Sequence, residues 1–158
     1  MIRLAPIEGP DCPDVMHIDR SDISEDWVDA IPDIMALHRY GLEHHLIGHT
    51  YAIYAENACV GMLLIGEGIP WPCDPPELTG IPFYRIMGFI VDRRYRGRGI
   101  GSQALEMAID AVFREFGPRP ISLGVQEDNH PAMRFYEAHG FLRSDARDED
   151  DVYFLRYP

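Results

Sequence analysis

Lysine is absent from the sequence: its 14 cationic residues are all arginine, set against 26 acids, for a formal net charge of −12. Without lysine there is no Schiff-base chemistry, and no phosphate loop of the kind that ends in Gly-Lys. The shortage of positive charge argues against a general nucleic-acid binder, whose affinity rests on neutralising phosphates. Cysteine is scarce too. Cys12, Cys59 and Cys73 form no C-x-x-C pair, which points to a reduced, cytoplasmic protein. No apolar run approaches the roughly 20 residues of a membrane span, and no charged-then-apolar leader opens the chain, so no membrane partner is expected. Repeats, low-complexity tracts and interdomain linkers are also missing.

What remains is globular in composition, 46% hydrophobic and 11% aromatic. Its 158 residues read as a single domain, 1–158, able to bury about two-thirds of its unfolded surface. One stretch stands out from the acidic background. An apolar strand, Ile86–Val91, leads into a loop from Asp92 to Gly101 and then a long amphipathic helix. Arg93, Arg94, Arg96 and Arg98 crowd the loop among Gly97, Gly99 and Gly101. Strand, glycine loop and helix is the order that sets backbone N–H groups and a helix N-terminus around a phosphate. The dinucleotide fingerprint Gly-x-Gly-x-x-Gly does not fit, because Ser102 stands where its last glycine would be.

The helix that follows carries Ile100, Ala104, Leu105, Ala108, Ile109, Val112, Phe113 and Phe116 as one stripe and ends at Gly117-Pro118. Ile121–Val125 is the next strand, parallel to the strand before the loop because a helical crossover returns the chain that way. A third helix opens at once, capped by Asp128 or Asn129, with Pro131 in its first turn. Ala132, Phe135, Tyr136 and His139 share its apolar face, and Gly140 ends it.

Two of these segments resemble the signatures of GNAT-type N-acetyltransferases. Val91 through Gly101 fits the family's acyl-CoA loop, Val-x-x-x-x-Arg-Gly-x-Gly-x-Gly, and Asn129 to Phe141 fits Asn-x-x-Ala-x-x-Leu-Tyr-Glu-x-x-Gly-Phe, with Phe135 at the leucine position. The resemblance covers roughly Phe83 to Phe141. It implies a single-domain α/β fold with a mixed, mostly antiparallel sheet flanked by helices and splayed at its one parallel pair, the acyl-CoA N-acyltransferase fold.

The N-terminal half is less legible. Ile2–Pro6 reads as a strand, and Asp14–Ile18 as a short helix. Asp22 or Ser24 caps a further helix, which Pro32 either kinks or restarts. Its apolar side is assigned to Ile34, Leu37, Leu42 and Leu46, and its end to Gly48. His44, His45 and His49 read as solvated or capping residues rather than metal ligands. His49–Glu56 and Cys59–Gly66 form a hairpin about Asn57-Ala58. The proline-rich loop Glu67–Pro82 reads as ordered and functional. Phe141–Ser144 and Val152–Tyr157 are strands around the acidic turn 145–151.

The resemblance assigns the chemistry. Acetyl-CoA is the expected co-substrate, with no metal. Its pyrophosphate is expected on Arg96, Gly97, Arg98, Gly99, Ile100, Gly101 and Ser102, its 3′-phosphate near Arg93 or Arg94, and its pantetheine arm along Phe89, Ile90 and Val91; Asn129 opens the second motif. Tyr136 falls where the family places its general acid. A phenol near pKa 10 giving its proton to a thiolate whose acid lies near 8.5 is uphill by about 2 kcal/mol, so hydrogen bonding to the thiolate matters as much as full transfer. An alkylammonium is neutral only about once in 2,500 molecules at pH 7, so a proton acceptor is needed. The stretch where many family members carry a glutamate is Leu123-Gly124-Val125 here, without an acid. Glu67 is the candidate in its place, and Tyr84 the next.

The expected function is transfer of an acetyl group to a primary amine of a small molecule, a polyamine or other cationic amine, by direct attack in a ternary complex. Alternatives are a peptide or protein amine acetyltransferase, a non-catalytic CoA-binding module, and a nucleotide-binding oxidoreductase fragment. A homodimer is left open. The acids of the 67–82 loop are expected to attract the cationic acceptor.

Overall fold

The computed structural model describes residues 1–158 throughout. Seven strands, β1 (Ile2–Pro6), β2 (Gly48–Ala55), β3 (Ala58–Glu67), β4 (Tyr84–Val91), β5 (Ile121–Gln126), β6 (Leu142–Asp148) and β7 (Asp151–Arg156), form one sheet in the order β1-β2-β3-β4-β5-β7-β6. Every neighbouring pair is antiparallel except β4 and β5. The expected mixed, mostly antiparallel α/β fold is therefore present.

Helices cover both faces. On one, α2 (Ile100–Phe116) and α3 (His130–Ala138) pack Leu105, Ala108, Ile109, Val112 and Met133 against Leu63, Tyr84, Leu123 and Phe154 of the sheet. The stripe read from the α2 sequence is the buried one, and the helix bounds match it. On the other face, α1 (Ile31–Glu43) and a 3₁₀ turn at Pro13–His17 cover Ala52, Met62, Leu64 and Ile90.

The N-terminal half departs from expectation in three places. No helix starts at Asp22 or Ser24: residues 24–28 make only one turn, with Trp27 and Val28 N–H bonded to the Ser24 carbonyl. Arg20 gathers the carbonyls of Ile23, Ser24, Val28 and Asp29, so the segment is held as a compact loop instead. The helix proper begins beside Pro32, and its buried face is Ile31, Ile34, Met35 and His38, spaced i, i+3, i+4, i+7. Leu37 and Leu42 point outward, because His38 takes the inward position. Its Nδ1 lies 2.9 Å from Thr50 Oγ1 and its Nε2 2.8 Å from the Gly9 carbonyl, which satisfies both polar atoms. The helix stops at Glu43, and His45 takes a left-handed φ of 53°. Gly48 instead starts β2, where a Cβ would stand 2.4 Å from the Ile65 carbonyl oxygen.

Smaller differences follow the same logic. The hairpin turns at Glu56-Asn57, one residue earlier than expected. β6 runs on through Asp148, so the acidic turn shrinks to Glu149-Asp150. The long connection from β3 to β4 is ordered: buried Arg85 binds both oxygens of Asp74 at 2.9 Å and lies 3.7 Å from the Trp71 ring.

Candidate active site

The parallel pairing of β4 and β5 lasts for only two residue pairs, Tyr84 with Ile121 and Arg85 with Ser122. Beyond them the strands splay, and Ile86–Val91 faces Leu123–Gln126 across an open gap. A bulge drives them apart. Met62 and Leu64 of β3 pair with Ile90 and Met87, so one extra β4 residue fits into the interval that holds Gly88. Gly88 has a φ of +66°, and a Cβ there would lie 2.6 Å from the Ile34 side chain. Only glycine accommodates both the backbone and the approach of α1. The gap thus presents two strand edges lacking cross-strand partners, to which an extended amide chain can bond as an added strand. Phe89, Ile90 and Val91 line it. Phe89 packs on Phe135 of α3, with ring centroids 6.0 Å apart, while Ile90 is buried toward α1.

The glycine loop follows β4 at the open end of the gap. None of the N–H groups of Gly97, Arg98, Gly99, Ile100, Gly101 or Ser102 has an acceptor in the chain. Gly99, at φ +75°, is the N-cap of α2 and turns these donors outward together. Beside them lies the positive end of a 17-residue helix. The donor set fits a pyrophosphate.

The four loop arginines divide their labour. Asp92, fully buried, accepts from Arg94 Nε at 3.0 Å, from Arg94 Nη2 and N at 2.8 Å and from the Asp19 N–H at 2.8 Å. Arg94 hydrogen bonds hold its carboxyl well below the usual range. Arg96 donates to the Val91 carbonyl at 3.2 and 3.0 Å and pairs with Asp22. Arg94 and Arg96 therefore pin the loop to Asp92, Asp22 and the Val91 carbonyl. Arg93 and Arg98 stay exposed; Arg98 leans on the Tyr95 ring, and Arg93 makes only a 3.4 Å contact to Ser21.

The second signature lies along the gap's other wall. Asn129 is buried and caps α3, its Oδ1 accepting the Ala132 N–H at 3.3 Å. Tyr136 is half-buried and edge-on to Phe135 and Phe141, with centroids 5.2 and 5.4 Å away. Burial alone pushes its phenol upward, with no hydrogen bond to counter it.

Glu67 sits at the far end of β3, opposite Tyr84 and so four residues before Gly88, about 13 Å along the strand. Its Oε1 accepts the Ile47 N–H at 3.3 Å. Tyr84 is no better placed, since its hydroxyl donates to the Gly117 carbonyl at 2.6 Å on the α2 side.

The sequence reading left out an acid beside the C-terminal half of β5. Gly124 of β5 is exposed, and Asp151 of β7 lies beside it, Oδ2 3.7 Å from where a Cβ of residue 124 would be. Burial raises the Asp151 carboxyl, and so do its acidic neighbours Asp148, Asp150, Asp29 and Glu149. No spacing rule links Gly124 to Asp151, because the antiparallel pairing of β5 with β7 brings them together.

A polar chain also runs from the loop into α3. Ser102 Oγ lies 3.0 Å from His139 Nε2, and His139 Nδ1 lies 2.8 Å from Glu106 Oε2. Arg156 holds both Glu106 oxygens at 2.9 and 3.1 Å. Separately, an apolar cavity of about 320 Å³ opens between α1 and the β3–β4 connection, reaching Met87 beside the bulge. Leu37, Tyr40, Leu42, Ile69 and Trp71 line it and are partly exposed, while Glu67 and Arg85 are polar members of its wall. No group of three or more His, Cys, Asp or Glu side chains is arranged to hold a metal ion.

Known proteins give the geometry a context. The chain is 26% identical over 143 residues to N-alpha-acetyltransferase 30 of Schizosaccharomyces pombe, covering 90% of this chain and 85% of that protein. It is 34% identical over 53 residues to spermine/spermidine N(1)-acetyltransferase of Bacillus subtilis, covering 34% and 35% of the two. The fold matches a GNAT family acetyltransferase from Elizabethkingia anophelis solved with acetyl-CoA bound, at a TM-score of 0.67, 15% identity and 99% and 98% coverage. Residues 12–141 match the profile of the Acetyltransferase (GNAT) family, and the chain belongs to that family of acetyl-CoA-dependent N-acetyltransferases.

Proposed function

We propose that the protein transfers the acetyl group of acetyl-CoA to a primary amine of a cationic small molecule. The observation that carries this reading is a single gap whose open end has phosphate donors on the β4 side and carboxylates on the β5–β7 side. The glycine-loop N–H groups suit a pyrophosphate. Asp151 and its acidic neighbours Asp29, Asp148 and Asp150 suit a cation.

Acetyl-CoA supplies an activated thioester; the chain's own groups do the rest. The N–H groups of Gly97 to Ser102 hold the pyrophosphate, and Arg93 and Arg98 add mobile charge. The free edges at Phe89–Val91 align the pantetheine arm and offer an N–H to the thioester carbonyl oxygen, which gains charge as the amine attacks. Tyr136 hydrogen-bonds the departing sulfur and returns a proton to it. Its raised pKa keeps the phenol neutral but makes outright transfer more uphill, so the hydrogen bond to the sulfur carries most of its effect.

Asp151 takes the ammonium proton, directly or through one water, in preference to the remote Glu67. The ammonium gives one proton to Asp151, the C–S bond breaks as the C–N bond forms, and the second proton that the nitrogen sheds passes by way of the Tyr136 hydroxyl or water to the departing thiolate. A carboxylate with a raised pKa is the better base.

A second reading has its own support. The likeness to an N-alpha-acetyltransferase spans 90% of the chain. An α-amine, with a pKa near 7.7–8.0, needs less help from a base than an alkylamine. The test is acetyl-CoA-dependent thiol release with diamines, polyamines, carboxylated amines and peptides bearing free N-termini. Fastest turnover of di- or polyamines supports the proposal; fastest turnover of peptides transfers the assignment to the second reading. Binding of acetyl-CoA without turnover of any amine overturns both in favour of a CoA-binding module.

A further inference from the structure

We infer that His139 sets the direction of the Ser102 hydroxyl, and that a CoA pyrophosphate binds with uptake of a proton on this ring. The inference rests on the reading that the 97–102 loop holds the pyrophosphate.

The hydrogen-bond chain allows two arrangements. Arg156 grips both oxygens of Glu106 at 2.9 and 3.1 Å. Burial of Glu106 acts to raise its pKa, but hydrogen bonds from Arg156 and His139 outweigh it and keep the carboxylate ionised. An ionised carboxylate only accepts, so His139 Nδ1, 2.8 Å away, carries a hydrogen in either state of the ring. The state of the ring therefore turns on Nε2, 3.0 Å from Ser102 Oγ.

In the neutral ring, Nε2 has a lone pair and the Ser102 O–H must donate to it. The serine then turns lone pairs toward the loop's mouth, where a phosphate would meet them as repulsion. When Nε2 takes a proton from solvent, the direction reverses: Nε2–H donates to Oγ, and the hydroxyl hydrogen is free for a phosphate oxygen. Ser102 is the third residue of α2, alongside N–H groups that have no acceptor, so its hydroxyl joins the same donor cluster. Glu106 and Arg156 are the charged groups placed against the ring, while Phe135, 4.8 Å away by centroid, packs on it from α3. Their two charges oppose each other, so an incoming phosphate tips the balance toward the cationic ring. Linkage then requires that affinity be highest below the ring's own pKa and fall as pH rises through it.

The measurement is calorimetric titration of the full chain with dephospho-CoA from pH 6 to pH 8.5, in buffers of differing ionisation enthalpy. That probe lacks the 3′-monoester, whose second pKa near 6 would confuse the profile. The wild type is expected to take up a fraction of a proton on binding and to lose about tenfold or more in affinity across the range. Ser102→Ala is expected to start weaker, with that pH dependence largely removed. Identical pH profiles for the two overturn the inference while the loop keeps its ligand. Failure of both CoA and dephospho-CoA to bind overturns the loop assignment itself. If Ser102→Ala does not fold, NMR titration of the His139 ring in the wild type decides: a pKa raised by dephospho-CoA supports the inference, and an unmoved one refutes it.

Discussion

Arg85 and Asp74 form a nearly dry ion pair: Nη1 and Nη2 of the guanidinium each reach one carboxylate oxygen at 2.9 Å, with the two side chains 3% and 9% exposed. The pair clamps the β3–β4 connection to the start of β4, and Trp71 covers the guanidinium. Removing Asp74 leaves a buried, uncompensated cation. Asp74→Ala should cost about 3–5 kcal/mol in urea unfolding, with a change in Trp71 fluorescence. A loss below about 1 kcal/mol would mean the pair is solvated in solution.

Asp92 gives an acid-dependent counterpart. Its carboxyl is depressed in the fold by Arg94 and by backbone donors, so it contributes stability above the unfolded carboxylate value near 3.9 and loses it as pH falls through the folded pKa. Asp92→Asn should cost about 1.5–3 kcal/mol at neutral pH, because an amide presents hydrogens to donors. The gap to the wild type should narrow below pH 4. A gap independent of pH would refute the charged role of Asp92.

For the loop, Gly99 is the telling position. A Cβ there meets nothing in the protein, yet φ is +75°. Gly99→Val should strain the backbone by about 1–2 kcal/mol and crowd the phosphate cradle. Acetyl-CoA affinity should collapse in calorimetry while the fold persists. Unchanged affinity would remove the phosphate from this loop.

Tyr136→Phe deletes a hydroxyl that has no partner in the chain and leaves both ring contacts in place. Stability should move by less than about 0.5 kcal/mol, while kcat falls about 10²–10⁴-fold with acetyl-CoA affinity held. Retained kcat with lost thermal stability would make Tyr136 a packing residue only.

What the sequence disclosed follows the locality of each signal. The α2 stripe, the glycine loop and the parallel β4–β5 pair were legible because each is written in consecutive residues or follows from a short crossover. The α1 face was misread because His38, a polar residue, is the one turned inward, its nitrogens satisfied by Thr50 and Gly9 far away in the chain. Arg94 and Arg96 looked like free charge, yet Asp92, Asp22 and a backbone carbonyl claim them. Asp151 was hidden for the same reason: its value comes from the missing side chain at Gly124, 27 residues earlier, across a strand pairing that no local pattern announces.

Asp151 therefore carries the sharpest test of the acceptor chemistry. As a base it must be ionised, so kcat/KM for a diamine should rise with pH through its raised pKa, adding to the amine's own deprotonation at higher pH. Asp151→Asn should lower kcat about 10²–10⁴-fold for alkylamines and much less for acceptors whose amine is already neutral at pH 7. Glu67→Gln, remote from the bulge, should leave kcat nearly unchanged. The acidic neighbours predict a second signature. Added salt should lower kcat/KM for diamines more than for neutral-bodied amines, since a screened cleft steers cations less well. If Glu67→Gln is crippled and Asp151→Asn is not, the proton leaves by way of β3 and the acceptor enters through the apolar cavity that Glu67 borders. If salt slows every amine equally, the acids at the β6–β7 turn only solvate the surface, and the cationic acceptor must be given up.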